Sequence, residues 1–480
     1  MPIYIYNSLT RKKEEFIPIE PPKVNIYACG VTVYDDSHIG HARSLYVFDL
    51  IRRYLKYCGF SVKFVRNITD IDDKIIKRSN ELKIDWKDLV KKYIDRYYQD
   101  LQGLGIDKAD VEPRATENIP EMIKYIQGLI DKGYAYEAAG DVYFNVRKFS
   151  GYGKLSGQSI DQMYSSVRVE QSGQKLDPLD FALWKSSKEN EPFWESPWRK
   201  GRPGWHIECS VMSQKCLNTD TLDIHAGGRD LIFPHHENEI AQAEALTAKP
   251  FAKYWIHGGL LTINAQKMAK SSGNFVTIKD FLNRYSAQVL KIFFLQTHYS
   301  QPIDFTWELM EEKRNALDRI MIFLKTLENR QKGQQPFTQT KLKKSLSPIE
   351  LHNAINGLRD AFIAAMNDDF NTPQAVAALF EIVSVSNKIL CDESFSPAYF
   401  DALNFAKDTI LEFGKILGLT FEANRVSIPE EEIEELIKKR QGLKLEKNFF
   451  EADKIKEQLA QKNIVLEDIK GGKTLWRVKI

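Results

Sequence analysis

The first part of the chain alternates between short apolar runs and one amphipathic stretch. Residues 24–29 are an apolar run that ends in Cys-Gly, and residues 62–68 are a run in which apolar residues alternate with polar ones or follow each other, so both predict strands. Between them, residues 42–58 carry apolar side chains at helical spacing, namely Leu45, Phe48, Ile51 and Leu55. A strand, a helix and a strand in this order form a βαβ unit, which predicts a parallel sheet.

The alternation of predicted strands and helices returns in the middle of the chain, after an irregular stretch. Residues 113–132 predict a helix, whereas residues 140–190 are irregular, polar and rich in Gly, Ser and Asp. We interpret the irregular part as an insertion into the sheet domain. Apolar runs at 221–225 and 254–261 predict further strands, with a helix at 234–246 between them.

Beyond about residue 283 the pattern is almost entirely helical. Amphipathic stretches with short connections predict an antiparallel bundle; they cover residues 307–327, 351–366, 373–389 and 398–417. The Gln/Lys/Ser/Thr-rich residues 330–347 predict a flexible loop. The tail predicts an acidic helix from about residue 427, a helix at 448–461, and strands at 464–467 and 475–478. The fold class is therefore α/β, a Rossmann-like parallel-sheet domain with an insertion, followed by an all-α helical bundle and a small α+β C-terminal module.

Composition narrows the class of protein. The 480 residues are 43% hydrophobic and 28% charged, which is typical of a soluble protein. No signal peptide or apolar membrane segment is recognisable, so we expect a cytoplasmic location. The five cysteines are odd in number and widely spaced, which argues against a disulfide framework and leaves room for metal ligands. Because the net charge is only +2, a nucleic acid would have to bind a local basic patch.

The sequence His38-Ile39-Gly40-His41 falls where the first strand gives way to the helix. Helix N-termini offer unpaired amide donors that suit phosphate, and Gly40 permits close approach of a nucleotide. The two histidines would stabilise charge as pyrophosphate departs. The alternative interpretation is that these histidines only cap the helix.

A second candidate site is the polar loop Lys267-Met268-Ala269-Lys270-Ser271-Ser272-Gly273-Asn274. A loop with two lysines can close over a triphosphate and neutralise it, although a solvated basic loop is the common alternative. The two motifs, each after a strand and in this order, resemble those of the class I aminoacyl-tRNA synthetases. That resemblance implies catalysis and ATP binding by His38, Gly40, His41, Lys267 and Lys270.

A third pattern concerns metal-binding side chains. His235 and Glu239 are four residues apart and share a helical face, and Cys29 ends the first strand. Together with Cys209 they form a set of donors that suits zinc. Because the four are widely dispersed, spacing leaves an equal case for purely structural roles.

Several longer motifs resemble the cysteinyl-tRNA synthetases over residues 2–480. They are Cys29-Gly30-Val31-Thr32-Val33-Tyr34-Asp35, Gly204-Trp205-His206-Ile207-Glu208-Cys209-Ser210, His225-Ala226-Gly227-Gly228-Arg229-Asp230-Leu231, Phe233-Pro234-His235-His236-Glu237-Asn238-Glu239-Ile240-Ala241-Gln242, Asp368-Asp369-Phe370-Asn371-Thr372-Pro373, and Leu466-Glu467-Asp468 with Trp476-Arg477. Ala269 replaces the serine that is commoner in that family. The resemblance implies an enzyme that uses ATP to join cysteine to tRNA.

The same resemblance implies roles for individual residues and cofactors. One zinc ion per chain would be held by Cys29, Cys209, His235 and Glu239 and would bind the substrate thiolate, which excludes serine. His236 and Glu237 are expected on other faces of the helix. The substrate-binding residues would be Thr32, Trp205, which packs near the substrate side chain, and Asp230, which pairs with its ammonium. Magnesium would accompany ATP, and the protein would be a monomer.

The helical bundle and the tail are the candidate surfaces for tRNA. Residues 438–479 contain twelve Lys or Arg against six Asp or Glu, which predicts a locally basic surface. The candidate anticodon contacts are Asp453, Asp468, Trp476 and Arg477. A solvated charged face with one core tryptophan is the alternative, and Gln441-Gly442-Leu443-Lys444 departs from the arginine-containing pattern expected here.

The resemblance also divides the chain into regions. We expect a first half of the catalytic domain (1–118), a connective insertion (119–192), a second half with the zinc ligands (193–258), the lysine loop with a linking region (259–308), the helical bundle (309–423) and an anticodon-binding module (424–480). Two other functions fit less well. A cysteine-activating ligase that acts on an amino-sugar would lack the basic tail, and an inactive RNA-binding relative would have lost the two ATP motifs.

Overall fold

The computed structural model describes residues 1–166, 175–268, 273–333, 346–421, 429–462, 464–468 and 474–478. The chain divides into two compact units. One comprises Met1–Arg284, Thr297–Phe305 and Asn367–Phe370, and the other Tyr285–Gln296, Thr306–Met366 and Asn371–Ile480. Among the described helices, none combines the length and apolar character that crossing a membrane requires.

The first unit contains thirteen strands and eight helices among its described residues. The strands are β1 (Tyr4–Asn7), β2 (Lys12–Glu15), β3 (Lys23–Thr32), β4 (Ser61–Thr69), β5 (Ala135–Ala138), β6 (Asp141–Phe144), β7 (Phe181–Ser186), β8 (Gly201–Pro203), β9 (Leu222–Gly228), β10 (Ala252–Gly258), β11 (Leu261–Ile263), β12 (Gln266–Lys267) and β13 (Ile303–Phe305). The helices are α1 (Ile39–Tyr57), α2 (Asp73–Leu82), α3 (Trp86–Leu104), α4 (Ile119–Asp131), α5 (Ile160–Ser166), α6 (Trp205–Leu217), α7 (Glu237–Thr247) and α8 (Ile278–Leu282).

The core of this unit is a four-stranded parallel sheet in the order β10-β9-β3-β4. The predicted βαβ unit is thus confirmed as β3, α1 and β4. Both strands are largely buried because helices cover the sheet, and Ile26, Ala28 and Val65 are at most 2% exposed. The carboxyl ends of β3, β4 and β9 lie at one edge, where parallel α/β sheets bind their ligands.

The insertion forms a sheet of its own, β5-β6-β7-β8, whose strands are all antiparallel. The sequence pattern did not predict these short strands. It also did not predict α2 and α3, which begin at the capping side chains of Asp72 and Asp85. A smaller sheet has the strand order β12-β11-β13. In it, the β11–β12 hairpin, called here the lysine hairpin because it carries Lys267, pairs with β13, a strand in a region that was expected to be helical.

The second unit contains the predicted bundle and the C-terminal module. Its elements are α9 (Ala287–Leu295), α10 (Trp307–Gln331), α11 (Pro348–Asn367), α12 (Thr372–Leu390), α13 (Phe400–Leu417), α14 (Glu430–Leu445), α15 (Phe449–Gln461), β14 (Ile464–Asp468) and β15 (Thr474–Val478). Helix α10 packs on α9 and α12, and Phe362 of α11 stacks on Phe413 of α13 with ring centroids 3.6 Å apart. The all-α character expected for the bundle is confirmed. The loop predicted at 330–347 lies mostly outside the described residues.

The C-terminal module has its own small core. The buried side chains are Ile433, Ile437, Ile455, Leu459, Ile464 and Leu466. Asp468 accepts hydrogen bonds from both terminal nitrogens of Arg440, at 2.7 and 2.9 Å, and from the Thr474 hydroxyl. Arg440 is only 2% exposed, so the Asp468 carboxylate balances a buried charge.

Replacing Asp468 with Asn is expected to destabilise this module by about 1–2 kcal/mol at pH 7, because the carboxylate is partly exposed and screened. Hydrogen bonding from Arg440, with Lys444 and Thr474 adding to it, holds the pKa of Asp468 well below its ordinary value. The folded pKa is depressed, so this stabilisation is complete above about pH 4 and is lost only as pH falls through the folded pKa.

Hydrogen exchange of β14 and β15 in the full chain measures this effect. Faster exchange is expected in the Asp468→Asn variant at pH 7 and not in Glu457→Gln, a change at an exposed position of α15. Equal exchange in the two variants would show that the Arg440 pair contributes nothing.

Candidate active site

The four predicted zinc ligands come from β3, α6, α7 and the turn before α7, and they meet at one edge of the parallel sheet. Cys29 lies near the carboxyl end of β3, and Cys209 lies in the second turn of α6. Glu239 is in the first turn of α7, and His235 lies in the irregular turn just before it. Their candidate ligand atoms all lie within 4.8 Å of one another.

The individual distances describe a tight cluster. The Cys29 Sγ is 3.8 Å from the Cys209 Sγ and 3.6 Å from Glu239 Oε1. His235 Nε2 is 2.9 Å from the same Glu239 oxygen. Cys209, His235 and Glu239 are at most 2% exposed. Two thiols, an imidazole and a carboxylate so confined are a donor set that suits a divalent metal such as zinc.

Buried charge also characterises this cluster. Burial alone would raise the pKa of the Glu239 carboxyl, but His225 and His235 outweigh it and hold that pKa well below its ordinary value. Burial likewise opposes ionisation of Cys209, yet hydrogen bonding with Cys29 and His235 lowers its thiol pKa to about 6. Burial, with the hydrogen bond and charge of Cys209 adding to it, raises the pKa of the Cys29 thiol well above its ordinary value. Glu239 and Cys209 are therefore the anionic donors at neutral pH, and the deprotonated form is the one that binds metal.

The structure corrects the expectation for His236. Its Nε2 lies 3.2 Å from the Cys29 Sγ, and Cys29, His225, His236 and Glu239 form a second group of possible ligands. The expectation assumed that residues 235–239 belong to one regular helix. In the structure α7 begins only at Glu237, and the chain before it is irregular, with an extended Phe233. Glu237 does point elsewhere, accepting hydrogen bonds from the main-chain amides of Gly153, Leu155 and Ser156.

The three predicted substrate-binding residues surround the cluster. Thr32 and Asp230 line a cavity of about 200 Å³ together with Cys29. Trp205 is 37% exposed, and its ring stacks on His235 with centroids 4.1 Å apart. Trp205 is therefore a wall beside the cluster and not part of the hydrophobic core.

A hydrogen-bond network that the sequence did not predict supports this pocket. The Gly30 amide donates to Asn67 Oδ1 (2.8 Å), Asn67 Nδ2 donates to the Thr69 hydroxyl (3.2 Å), and that hydroxyl donates to Glu208 Oε2 (2.7 Å). It connects the ends of β3 and β4 to the first turn of α6. Gly30 has to be glycine, because a Cβ there would lie 1.6 Å from the Asn67 carbonyl oxygen.

His38 and His41 cap the helix that they begin. His38 Nδ1 accepts from the amides of Gly40 (3.1 Å) and His41 (3.3 Å), and His41 Nδ1 accepts from the His38 amide (3.3 Å). The two rings stack with centroids 3.7 Å apart. Burial, with His38 and Lys74 adding to it, lowers the pKa of His41 to about 3, so this ring is neutral at physiological pH.

Described residues before and after positions 269–272 lie close to this histidine pair. Before this stretch, the Met268 side chain ends next to Gly40, 3.7 Å from where a Cβ would lie. After it, the Ile39 amide donates to the Val276 carbonyl (3.1 Å) and the Ile278 amide to the Ser37 carbonyl (2.9 Å). Lys267 is exposed at the end of the β11–β12 hairpin, and Lys270 lies outside the described residues.

Comparison with known proteins agrees with this geometry. Residues 15–315 match the family model described as the tRNA synthetases class I (C) catalytic domain, and residues 361–422 match the DALR domain. The cysteine–tRNA ligase of Thermodesulfovibrio yellowstonii is 50% identical over an alignment of 491 residues that covers 99% of each chain. This chain belongs to the cysteine–tRNA ligases. That of Persephonella marina is 48% identical over 501 residues and the full length of both chains.

Solved structures of other class I enzymes share the fold. The Mycobacterium tuberculosis methionyl-tRNA synthetase in complex with methionyl-adenylate superposes with a TM-score of 0.65 at 14% identity, covering 82% of this chain and 92% of that one. The two proteins thus share a fold over most of the length of this chain. The cysteine–tRNA ligase family accordingly keeps the class I architecture that the two ATP motifs implied.

The predicted tRNA contacts of this cysteine–tRNA ligase differ in their surroundings. Asp453 is exposed on α15, whereas Asp468 is bound to Arg440 and Trp476 packs partly against the module core. The side chain of Arg477 lies outside the described ones. The sequence reasoning missed Phe449 and Phe450, which are 59% and 71% exposed at the start of α15.

Proposed function

We propose that this chain activates cysteine with ATP and transfers it to the terminal ribose of a cysteine tRNA. The observation that carries the proposal is the buried group Cys29, Cys209, His235 and Glu239, which lies beside a small cavity at the ligand-binding edge of the sheet. Its donors fit zinc, and His41 of the histidine motif lines the same cavity. Full-length similarity to cysteine–tRNA ligases supports the same activity.

The cluster would select cysteine by its sulfur. Zinc held by Cys29, Cys209, His235 and Glu239 would supply a soft Lewis acid that favours a thiolate over a hydroxyl ligand. Cysteine and serine differ little in size, so steric exclusion alone would separate them poorly. A site that demands a group the competitor lacks can discriminate by roughly 10⁴–10⁵ without editing.

The chain's other residues would hold and orient the amino acid. Asp230 offers a carboxylate for the substrate ammonium at the cavity wall, and Thr32 offers a hydroxyl there. Trp205, stacked on His235, closes the side of the cluster. The Asn67–Thr69–Glu208 network would keep the end of β3 in register with α6, and so would hold Cys29 opposite Cys209.

Activation would take place at the two ATP motifs. The cysteine carboxylate attacks the α-phosphate, forming cysteinyl-adenylate and releasing pyrophosphate. His38, His41, Lys267 and Lys270 would stabilise the charge on the departing phosphates, with magnesium accompanying ATP. Since His41 is neutral in the free protein, it would act as a hydrogen-bond donor rather than as a fixed cation.

In the second step a hydroxyl of the terminal tRNA ribose attacks the adenylate carbonyl, giving cysteinyl-tRNA and releasing AMP. No strong base is required, because correct positioning can account for much of the rate. The activity is tested by incubating purified protein, ATP, magnesium and bulk tRNA with labelled cysteine or serine. Cysteine-specific charging supports the proposal. Cysteine-dependent pyrophosphate exchange without charging would favour an amino-sugar ligase, and absence of both would favour an inactive relative.

The C-terminal module would contact the tRNA through its exposed aromatic pair. Phe449 and Phe450 begin α15, Lys454 lies 4.4 Å above the Phe450 ring, and Asp453 is exposed on the same helix. Aromatic faces flanked by cations suit unstacked RNA bases. We keep Asp453 as a candidate contact and assign Asp468 and Trp476 mainly to the fold of the module.

Replacing Phe450 with Ala is expected to weaken tRNA binding by roughly 5- to 150-fold, the effect of about 1–3 kcal/mol per stacked base. Cysteine-dependent pyrophosphate exchange should not change. Filter binding of tRNA at fixed salt provides the measurement, and Leu445→Ala, at a position that is 86% exposed in the same module, is the matched control. If both variants bind tRNA as the unaltered protein does, Phe450 is not a contact.

We also propose that the enzyme acts as a monomer in the cytoplasm, as the family resemblance implies. The chain has a mass of 55.4 kDa. Sedimentation equilibrium at micromolar concentration should return that mass, and a stable multiple of it would refute the monomer.

A further inference from the structure

Arg43 follows the histidine motif in helix α1 and is 2% exposed. Its guanidinium group donates hydrogen bonds to five main-chain carbonyls and to no carboxylate among the described residues. Nη1 donates to Gly259 and Leu260, both at 2.9 Å, and Nη2 donates to Gln301 at 2.6 Å, His298 at 3.3 Å and Tyr299 at 3.4 Å. A single side chain thus satisfies carbonyls from two separate segments of the first unit.

Both segments support the hairpin that carries Lys267. Gly259 and Leu260 lie between β10 and β11, and residues 298–301 lead into β13. Strand β11 pairs in parallel with β13 and antiparallel with β12, which contains Lys267. The segments also bond directly, because the Gly259 amide donates to Tyr299 (2.8 Å) and the Ile303 amide to Leu260 (3.0 Å). The guanidinium lies where the two strands enter the small sheet.

The chemistry of this position requires arginine. Five carbonyl oxygens around one cation need several donors in a planar, fixed arrangement, which a guanidinium provides. A lysine ammonium is a compact charge with three donors and could not reach both segments in the same way. The carbonyl dipoles converge on the positive charge, so removing it would take one donor from each of five acceptors. The carbonyls of Leu260, Tyr299 and His298 would keep a main-chain amide donor.

We propose that Arg43 is a positioning residue, which fixes the β12-β11-β13 sheet, and Lys267 with it, to the helix that carries His38 and His41. The histidines are two and five residues before Arg43 in the same chain segment, so one rigid element would set the distance between the two ATP motifs. This inference rests on the proposed role of Lys267 in activation. It adds that the relative placement of the two motifs depends on a side chain that does not touch ATP.

Arg52 provides a matched control on the same helix. It is 3% exposed and donates to the Lys108 carbonyl (2.9 Å) and to Asp49 (2.6 Å), away from the lysine hairpin. A change at Arg52 therefore perturbs the packing of α1 without releasing β11. Any effect that is special to Arg43→Lys or Arg43→Met and absent from Arg52→Met cannot come from general loss of stability.

Two measurements on the full-length, metal-loaded protein test the proposal. Hydrogen exchange of residues 259–263 and 298–303 should become at least about 10-fold faster in Arg43→Lys and Arg43→Met, and not in Arg52→Met. The kcat for cysteine-dependent pyrophosphate exchange should fall by about 10- to 100-fold in the Arg43 variants, since small misplacements of catalytic groups are costly, while KM for cysteine stays unchanged. Arg43→Lys keeps the positive charge, so both measurements can be made on this variant if Arg43→Met does not fold.

Unchanged exchange in these segments, or equal exchange and equal loss of kcat in Arg52→Met, would overturn the proposal. Faster exchange with unchanged kcat would also overturn it, provided that Lys267→Ala lowers kcat. If Lys267→Ala itself has normal activity, the role proposed for Lys267 in activation is wrong. That result is distinct from a failure of the positioning role proposed for Arg43, which the hydrogen exchange tests.

Discussion

Replacing Cys209 with Ser is expected to abolish stoichiometric zinc binding and to lower cysteine activation by at least about 100-fold, more than is usual for loss of a residue that only supports a metal ligand. The physical reason is that the serine hydroxyl stays protonated where the Cys209 thiol is readily ionised. Elemental analysis gives the zinc content per chain, and pyrophosphate exchange gives the activity. Removing zinc from the unaltered protein with a chelator should reproduce the loss.

The chain offers a matched control for this change. Cys216 lies on the same helix, α6, and is partly buried, but it is not among the grouped ligands. Cys216→Ser should retain one zinc per chain and normal activation. If Cys209→Ser also kept its zinc and its activity, the cluster would not be the metal site.

Replacing Lys267 with Ala is expected to slow adenylate formation by about 10²–10³-fold, the usual cost of losing one group that stabilises transition-state charge. The dissociation constant for cysteine should not change, because Lys267 lies on the hairpin and not at the cavity around Cys29. Rapid-quench measurement of adenylate on the enzyme separates this step from transfer to tRNA.

Lys279 is a suitable comparison, since it is an exposed lysine on α8 shortly after the loop. Lys279→Ala should form adenylate at the normal rate. Equal losses in the two variants would mean that a general positive field acts on ATP, and a normal rate in Lys267→Ala would remove this residue from the mechanism.

Local pattern was enough to predict the sheet and its first crossover. The runs at 24–29 and 62–68 are largely apolar because most side chains of β3 and β4 are buried, and the helix between them shows its buried face directly. Short strands such as β5 to β8 have no such signal, because their side chains pack within a small antiparallel sheet formed by pairing far along the chain. Tertiary contacts, not the local sequence, define them.

The cluster could be proposed but not located from residue spacing. Cys29 and Glu239 are separated by most of the catalytic domain, and only the fold brings their side chains to within 3.6 Å. The spacing along a helix predicted that His235 and Glu239 lie together and that His236 points elsewhere. The prediction for His236 was wrong, because the chain before α7 is not a regular helix. The roles of Asn67, Thr69 and Glu208 depend entirely on such contacts and have no signature in the sequence.

The histidine motif shows how two interpretations can both hold. The His38 and His41 rings cap α1 through their Nδ1 atoms, as the structural alternative required. The same capping fixes both rings at the helix N-terminus, beside Met268 and the residues that follow the lysine loop. Stability of the helix and placement of the proposed catalytic groups therefore come from the same hydrogen bonds.

X-ray absorption at the zinc edge tests most directly whether the cluster recognises cysteine by its sulfur. Two protein thiolates, Cys29 and Cys209, should give two sulfur ligands per zinc in the free enzyme. Cysteine should raise that number to three, and serine should leave it at two. If cysteine binds at saturating concentration and the number of sulfur ligands per zinc stays at two, the metal does not coordinate the substrate's sulfur. Discrimination against serine must then have another origin.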